Sequence, residues 1–130
     1  ALILFDMDEF KRLNDLWEYS AGDACLAAFG ERLRNAFPEA SIIARIGGDE
    51  FAVLVPPVSS THEAEIAVRS RLCSLRNPVP WKGELLPLNV SIGLAFAAQG
   101  EGLDPQRLFE AADKALYIAK REASNFLVCL

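Results

Sequence analysis

The chain has 130 residues, 52% of them apolar and 24% charged, and a formal net charge of −5. That length and mix predict a single globular domain. The acidic balance argues against a nucleic-acid polymer as partner, because tracking phosphates needs a basic surface, but it leaves room for a single nucleotide bound through metal ions.

No apolar run nears the roughly 20 residues of a membrane helix, so no membrane contact is expected. The opening "ALILFDMDEF" has no basic leader and too short an apolar part for a signal peptide. It starts directly on a strand, which leads us to expect that a segment has been cut away upstream. Cys25, Cys73 and Cys129 show no CxxC or His-Cys spacing, so a zinc site is not expected. Free, buried thiols in a reducing cytoplasm are the expectation.

The continuously apolar "ALILF" predicts a strand buried on both faces, ending at Asp6. Asp8 is placed to N-cap a short helix, "EFKRLND", that closes near Asn14-Asp15. Ser20 and Asp23 have capping-box spacing for a second helix reaching about Ala36, with Leu26, Phe29, Leu33 and Ala36 on one face. Pro38 stops it. "SIIARI" and "FAVLV" predict two strands of a hairpin turning at Gly47-Gly48.

Ser60 and Glu63 then offer a capping box for a helix carrying Ala64, Val68, Leu72 and Leu75. "VPWKGELL" predicts a small hairpin turning at Lys82-Gly83. In "LNVSIGLAFA", Val90, Ile92 and Leu94 alternate with Asn89, Ser91 and Gly93, a long strand. Asp104-Pro105 starts the last helix as N-cap and N1, with Leu108, Ala112, Ala115 and Ala119 as its buried stripe. "FLVCL" closes the chain as a strand. With the small hairpin set aside, the order predicts an α+β, ferredoxin-like βαββαβ core: a central, mostly antiparallel sheet flanked by helices.

Two acidic clusters fall at strand ends: Asp6 with Asp8, and Asp49 with Glu50 at the hairpin tip. If the hairpin pairs beside the first strand, both clusters meet at one edge of the sheet. Mg²⁺ suits such a place, since it binds one or two carboxylates plus phosphates and waters. Two such ions would activate a hydroxyl and neutralise a transferring phosphoryl group, and Gly47 and Gly48 would let phosphates approach the backbone. The alternative is plain solvation: Asp8 and Asp23 also fit helix caps, and Asp49-Glu50 also fits a wet turn. His62, near a helix start, is expected to be solvated, as are Arg121 and Glu122. Trp17 and Trp81 are expected to pack.

The run "RIGGDEF", Arg45 to Phe51, resembles the signature of the GGDEF family of diguanylate cyclases. Further matches follow the family's order: "DMDEFKRLND", "AGD" at 21–23, "VSIGLA" at 90–95 and "ADKALYIAK" at 112–120. The resemblance implies a sheet related to the polymerase palm and nucleotide cyclases. It implies a cytoplasmic bacterial signalling enzyme that condenses two GTP into cyclic di-GMP across two facing protomers, with Mg²⁺ or Mn²⁺ as cofactor. Sensory or phosphodiesterase domains would be fused to it in the parent protein.

By that resemblance Asp6 and Asp49 are metal ligands, and Glu50 is a ligand or proton acceptor, so that Asp49 and Glu50 form the catalytic pair. Asn14 and Asp23 read the guanine edge. Lys11 and Lys120 contact phosphates as point charges. Phe10 shapes the triphosphate pocket.

The sequence departs from the family in four places. The Arg-x-x-Asp product-inhibition pair is replaced by Pro38 and Ser41, so no feedback through that site is expected. Trp17-Glu18-Tyr19 stands where Y-G-H is usual, adding a charge beside the guanine pocket. Ala123-Ser124-Asn125 stands where G-R-N is usual; one missing charge-assisted phosphate contact costs about 1.5–3 kcal/mol of binding. The family's leading segment, with its D-x-L-T-x-L-x-N-R pattern, is absent, which points to an N-terminally truncated domain. A degenerate domain that binds GTP and regulates an attached phosphodiesterase is the competing expectation.

Overall fold

The computed structural model describes residues 1–17, 19–56, 60–97, 102, 104–122 and 128–129. Strand β1 (Leu2–Met7) is the centre of the sheet and is buried from Ile3 onward. It runs one residue past the expected end, so Asp6 lies inside the strand. Helices α1 (Phe10–Leu16) and α2 (Tyr19–Ala36) follow, then the hairpin of β2 (Ile42–Arg45) and β3 (Glu50–Leu54). Helix α3 (Thr61–Leu75), the small hairpin β4 (Val79–Trp81) and β5 (Glu84–Leu86), strand β6 (Val90–Ala95), helix α4 (Pro105–Arg121) and β7 (Val128–Cys129) complete the order.

The main sheet has the order β2-β3-β1-β6-β7, antiparallel except for the parallel β6–β7 pair. The first four of these strands, with the helices between them, form the expected ferredoxin-like core. Helix α4 and β7 extend it by a parallel crossover. Of "FLVCL", only Val128 and Cys129 fall among the described residues.

Period-two alternation gives the sheet two buried faces. Ile3, Phe5 and Met7 pack with Phe29 and Leu33 of α2 and with Ala64, Val68 and Leu75 of α3. Phe5 meets Phe29 edge-on at 5.7 Å and Phe37 at 6.2 Å, and Phe29 meets Phe51 at 5.1 Å. Such pairs contribute about 0.5–1.5 kcal/mol each beyond the area they bury. On the other face Leu4 and Ala95 pack against Ala112 and Leu116 of α4. Arg32 ties the first layer together, donating from α2 to the carbonyls of Leu75, Asn77 and Pro78 at the end of α3.

Strand β6 shows why that second face is close-packed. Its alternation of apolar with small or polar residues does not expose one side; all six residues are buried. A Cβ at Gly93 would lie 2.2 Å from the Ala112 carbonyl oxygen, so the α4 backbone rests directly on the strand. Ala112, Ala115 and Ala119, all fully buried, permit that approach. Asp104 starts α4 as expected, accepting from the Gln106 and Arg107 N–H groups, with Pro105 at N1.

Several local expectations need correction. Asp8 does not cap α1; the N-cap is Glu9, in the left-handed region at φ 56, and it makes no side-chain cap bond. Helix α2 begins at Tyr19, so Ser20 sits inside it rather than before it. Cys25 is buried, but Cys73 lies on the outward side of α3 and is exposed. Other expectations hold. The Ser60 hydroxyl accepts from the Glu63 N–H at 3.1 Å. Lys82 (φ 45) and Gly83 (φ 79) are both left-handed, as a two-residue type I′ hairpin turn requires. His62, Arg121 and Glu122 are exposed. Trp17 packs edge-on against Trp81 at 6.3 Å. No helix among the described residues is long and apolar enough to cross a membrane.

Candidate active site at the hairpin tip

Register brings the two acidic clusters together. Asp6 pairs across the ladder with Glu50 on one side and with Ser91 on the other. Period two points all three toward the α4 face. Asp49 sits one residue before β3, and its carbonyl accepts from the Met7 N–H at 3.0 Å. The tip of the β2–β3 hairpin and the end of β1 therefore share one edge of the sheet.

The last turn of α4 delivers Lys120 to this edge. Its ammonium lies 2.6 Å from Asp6 Oδ2. Asp6 is 6% exposed, and its Oδ1 is buried without a hydrogen-bond partner. Burial pushes the Asp6 carboxyl up to about 6; the Lys120 contact pulls it down, and the charges of Asp49 and Glu50 push it up again. Burial lowers the pKa of Lys120, but the bond to Asp6 and the charges of Asp6, Asp49 and Asp8 outweigh this and leave it raised.

That shift has a measurable consequence for the ligand-free fold. The folded carboxyl holds its proton more tightly than the unfolded one. The stability Asp6 contributes is therefore fully present below about pH 4 and is lost as pH rises through 6. In EDTA, Asp6→Asn should match wild type in stability below pH 4. It should exceed wild type increasingly between about pH 4 and pH 6 and by a constant amount above that, about 3 kcal/mol at most, the gap set by a carboxyl moved from 3.8 to about 6. Urea titrations at several pH values check this; a pH-independent difference would contradict it.

The donors here are hard carboxylate oxygens, the kind Mg²⁺ and Mn²⁺ prefer. Among the described residues no three His, Cys, Asp or Glu side chains already gather as a metal cage. Mg²⁺ does not need one, because it is satisfied by one or two carboxylates together with phosphates and waters. The orphaned Oδ1 of Asp6, flanked by Asp49 and Glu50, fits a cation.

The remaining expected residues lie on α1, α2 and the turn. Asn14 Oδ1 is buried without a partner. The backbone of α2 passes so close to it that a Cβ on Gly22 would fall 1.9 Å away. The same Cβ would come within 3.1 Å of the Phe10 ring. Lys11 is exposed on α1. Asp23 is exposed at the rim of an open hollow of about 460 Å³ that Leu26, Gly30, Arg34, Arg45 and Phe51 also line. A Cβ on Gly48 would meet nothing within 4 Å, whereas one on Gly47 would approach Glu50 Oε2 to 3.2 Å. Pro38 and Ser41 are exposed on the connection between α2 and β2. Glu18 and residues 123–125 lie outside the described residues.

Two residues escaped the sequence reading. Arg45 donates Nε to the Gly47 carbonyl at 3.1 Å and a terminal nitrogen to the Gly48 carbonyl at 2.9 Å, pinning the glycine turn from the preceding strand. Its signal was an arginine two residues before the paired glycines. Ser91 donates to Asp8 Oδ1 at 2.6 Å. Its signal was a lone hydroxyl in an otherwise apolar strand.

Residues 1–126 match the family described as diguanylate cyclase, GGDEF domain. The chain is 36% identical over 124 residues to the diguanylate cyclase TpbB of Pseudomonas aeruginosa, covering 95% of this chain and 28% of that protein. It thus spans little more than a quarter of that relative. The solved GGDEF domain of TpbB superposes with a TM-score of 0.88 at 33% identity, covering 98% of this chain and 74% of that one. The GGDEF domain of DgcB from Caulobacter crescentus, solved in complex with c-di-GMP, gives a TM-score of 0.85 at 27% identity, covering 98% and 75%. With that match along nearly its whole length, and with the acids of the signature at the sheet's edge, the chain belongs to the GGDEF domain family of diguanylate cyclases.

Proposed function

We propose that this domain is one half-site of a working diguanylate cyclase. It holds one GTP and, facing a second copy, joins two GTP into cyclic di-GMP with release of two pyrophosphates. The observation that carries the reading is the cross-strand pairing of Asp6 with Glu50 beside Asp49, with one Asp6 oxygen left unpartnered. The binding of c-di-GMP by DgcB, a relative of the same fold, supports it.

In this reading Asp6 and Asp49 hold Mg²⁺ or Mn²⁺, and Glu50 assists as ligand or proton acceptor. The ions, when bound, supply charge neutralisation and an activated 3′-hydroxyl. Asn14 and Asp23 recognise guanine: a carboxylate accepts from its N1–H and exocyclic amine together. Lys11 and Lys120 meet the phosphates as point charges. Phe10 shapes the triphosphate pocket, and Gly47 and Gly48 leave the phosphates room. The reaction belongs in the cytoplasm, where GTP is made. Sensory or phosphodiesterase domains fused to this one in the full-length protein would set its activity.

A second reading rests on Ser124, which stands where an arginine would meet the terminal phosphates, leaving Lys120 to do so alone. There the domain binds GTP and regulates an attached domain without turnover. Incubating the full-length protein with GTP and Mg²⁺ separates the two. Cyclic di-GMP that disappears with Asp49→Ala is the expected result. Bound GTP that changes a partner domain's activity, with no product, would establish the second reading instead.

A further inference from the structure

Asp8 is a carboxylate that the roles above leave unused, and it is held with care. The left-handed turn at Glu9 takes the chain from β1 directly into α1 and leaves Asp8 beside the strand end. Its N–H donates to the Asn89 carbonyl at 2.8 Å. Its Oδ1 accepts from Ser91 Oγ at 2.6 Å, and Ser91 is fully buried directly across the ladder from Asp6. Its Oδ2 is buried with no hydrogen-bond partner. A hydroxyl is thus committed inside the sheet to orient one carboxylate oxygen, while the other stays unsatisfied. Leaving a buried acceptor unpaired costs free energy unless another state of the molecule uses it.

Lys120 is the group that can use it. Asp8, Glu9, Asn89 and Lys120 line one open polar hollow of about 450 Å³. The ammonium now rests on Asp6 Oδ2 at 2.6 Å. A divalent cation on Asp6 and an ammonium at that distance repel each other, so the lysine must leave as the cation arrives. Released into water it would lose a charge-assisted hydrogen bond and its aim.

We infer that Ser91 orients Asp8 as a second seat for Lys120, to which the ammonium moves when a divalent cation takes Asp6, keeping it in the hollow where a phosphate would meet it. Asp8 and Ser91 are then positioning residues that act through Lys120. The inference rests on the reading of Asp6 as a metal ligand.

Mn²⁺ binding tests it without any need for turnover. The full-length protein is titrated with Mn²⁺ in the absence of nucleotide, free ion is followed by electron paramagnetic resonance, and the relevant site is the one lost in Asp6→Asn. Lys120→Met should tighten that site severalfold, because the competing ammonium is gone. Asp8→Asn should weaken it roughly tenfold, the scale of one charge-assisted hydrogen bond. With Lys120→Met already in place, Asp8→Asn should change affinity less than about twofold. Ser91→Ala should weaken binding in the Lys120 background and be silent with Lys120→Met.

An equal Asp8→Asn penalty in both backgrounds would overturn the inference, since Asp8 would then act by its charge alone. So would a Mn²⁺ affinity at that site indifferent to Lys120→Met, Asp8→Asn and Ser91→Ala. If such a protein still makes cyclic di-GMP, only this inference fails. If it binds no Mn²⁺ at Asp6 and makes no product, the functional reading fails with it.

Discussion

Gly93→Ala should cost the domain about 3 kcal/mol or more, the largest stability loss expected of any single added methyl here. The Cβ would lie 2.2 Å from the Ala112 carbonyl oxygen and 2.4 Å from the Leu116 nitrogen. Both are backbone atoms in the middle of α4, so no side-chain rotation relieves the overlap. The helix must lift from β6, opening the face on which Leu4, Ala95, Ala112 and Leu116 pack. Lifting α4 also draws Lys120 away from Asp6, so the site should loosen with the fold. Urea denaturation followed by far-UV circular dichroism measures the loss; a midpoint equal to wild type would show that the helix does not rest on the strand as described.

Gly22→Ala should act on binding and barely on folding. Its Cβ would fall 1.9 Å from Asn14 Oδ1 and 2.9 Å from Asn14 Cγ. Here the obstacle is the end of a side chain, which can rotate aside at little cost, and alanine also favours the helix. The amide that must turn away is the one proposed to read guanine. Losing a hydrogen bond to the base should weaken GTP binding about tenfold, while binding of inorganic pyrophosphate, which lacks a base, stays unchanged. Calorimetric titration with both ligands decides the matter. Equal weakening of both would mean that the variant disturbs the phosphate side, and unchanged GTP affinity would remove Asn14 from the guanine contact.

These two glycines also show what the sequence could and could not disclose. The fold was legible because period and punctuation agreed along the chain: the apolar run at 2–5, the paired glycines at 47–48, and Asp104-Pro105 each announced the element that the structure contains. The meeting of the acids was legible too, once the hairpin was placed beside the first strand. The register was not legible, because pairing Asp6 with Glu50 on one side and Ser91 on the other depends on three strands at once. The misplaced cap had a long-range cause. Asp8 has the side chain of a good N-cap, yet Ser91, 83 residues away, holds it. Tertiary hydrogen bonds of that kind override a capping preference worth about 1 kcal/mol. The role of Arg45 is hidden for a similar reason: its partners are main-chain carbonyls, whose position the residue types alone do not give.

The site holds an unrelieved electrostatic conflict. A buried Asp6 beside Asp49 and Glu50 is costly to ionise, and the lysine relieves only part of that cost. Such local destabilisation is typical of positions kept for chemistry rather than for folding.

The measurement that most directly tests the central claim follows product and pyrophosphate together while the concentration of full-length protein is varied with GTP and Mg²⁺ in excess. Two facing half-sites predict one cyclic di-GMP for every two pyrophosphates, a specific activity that rises with protein concentration, and neither product from Asp49→Ala. GTP that is bound but releases no pyrophosphate at any protein concentration would contradict the claim.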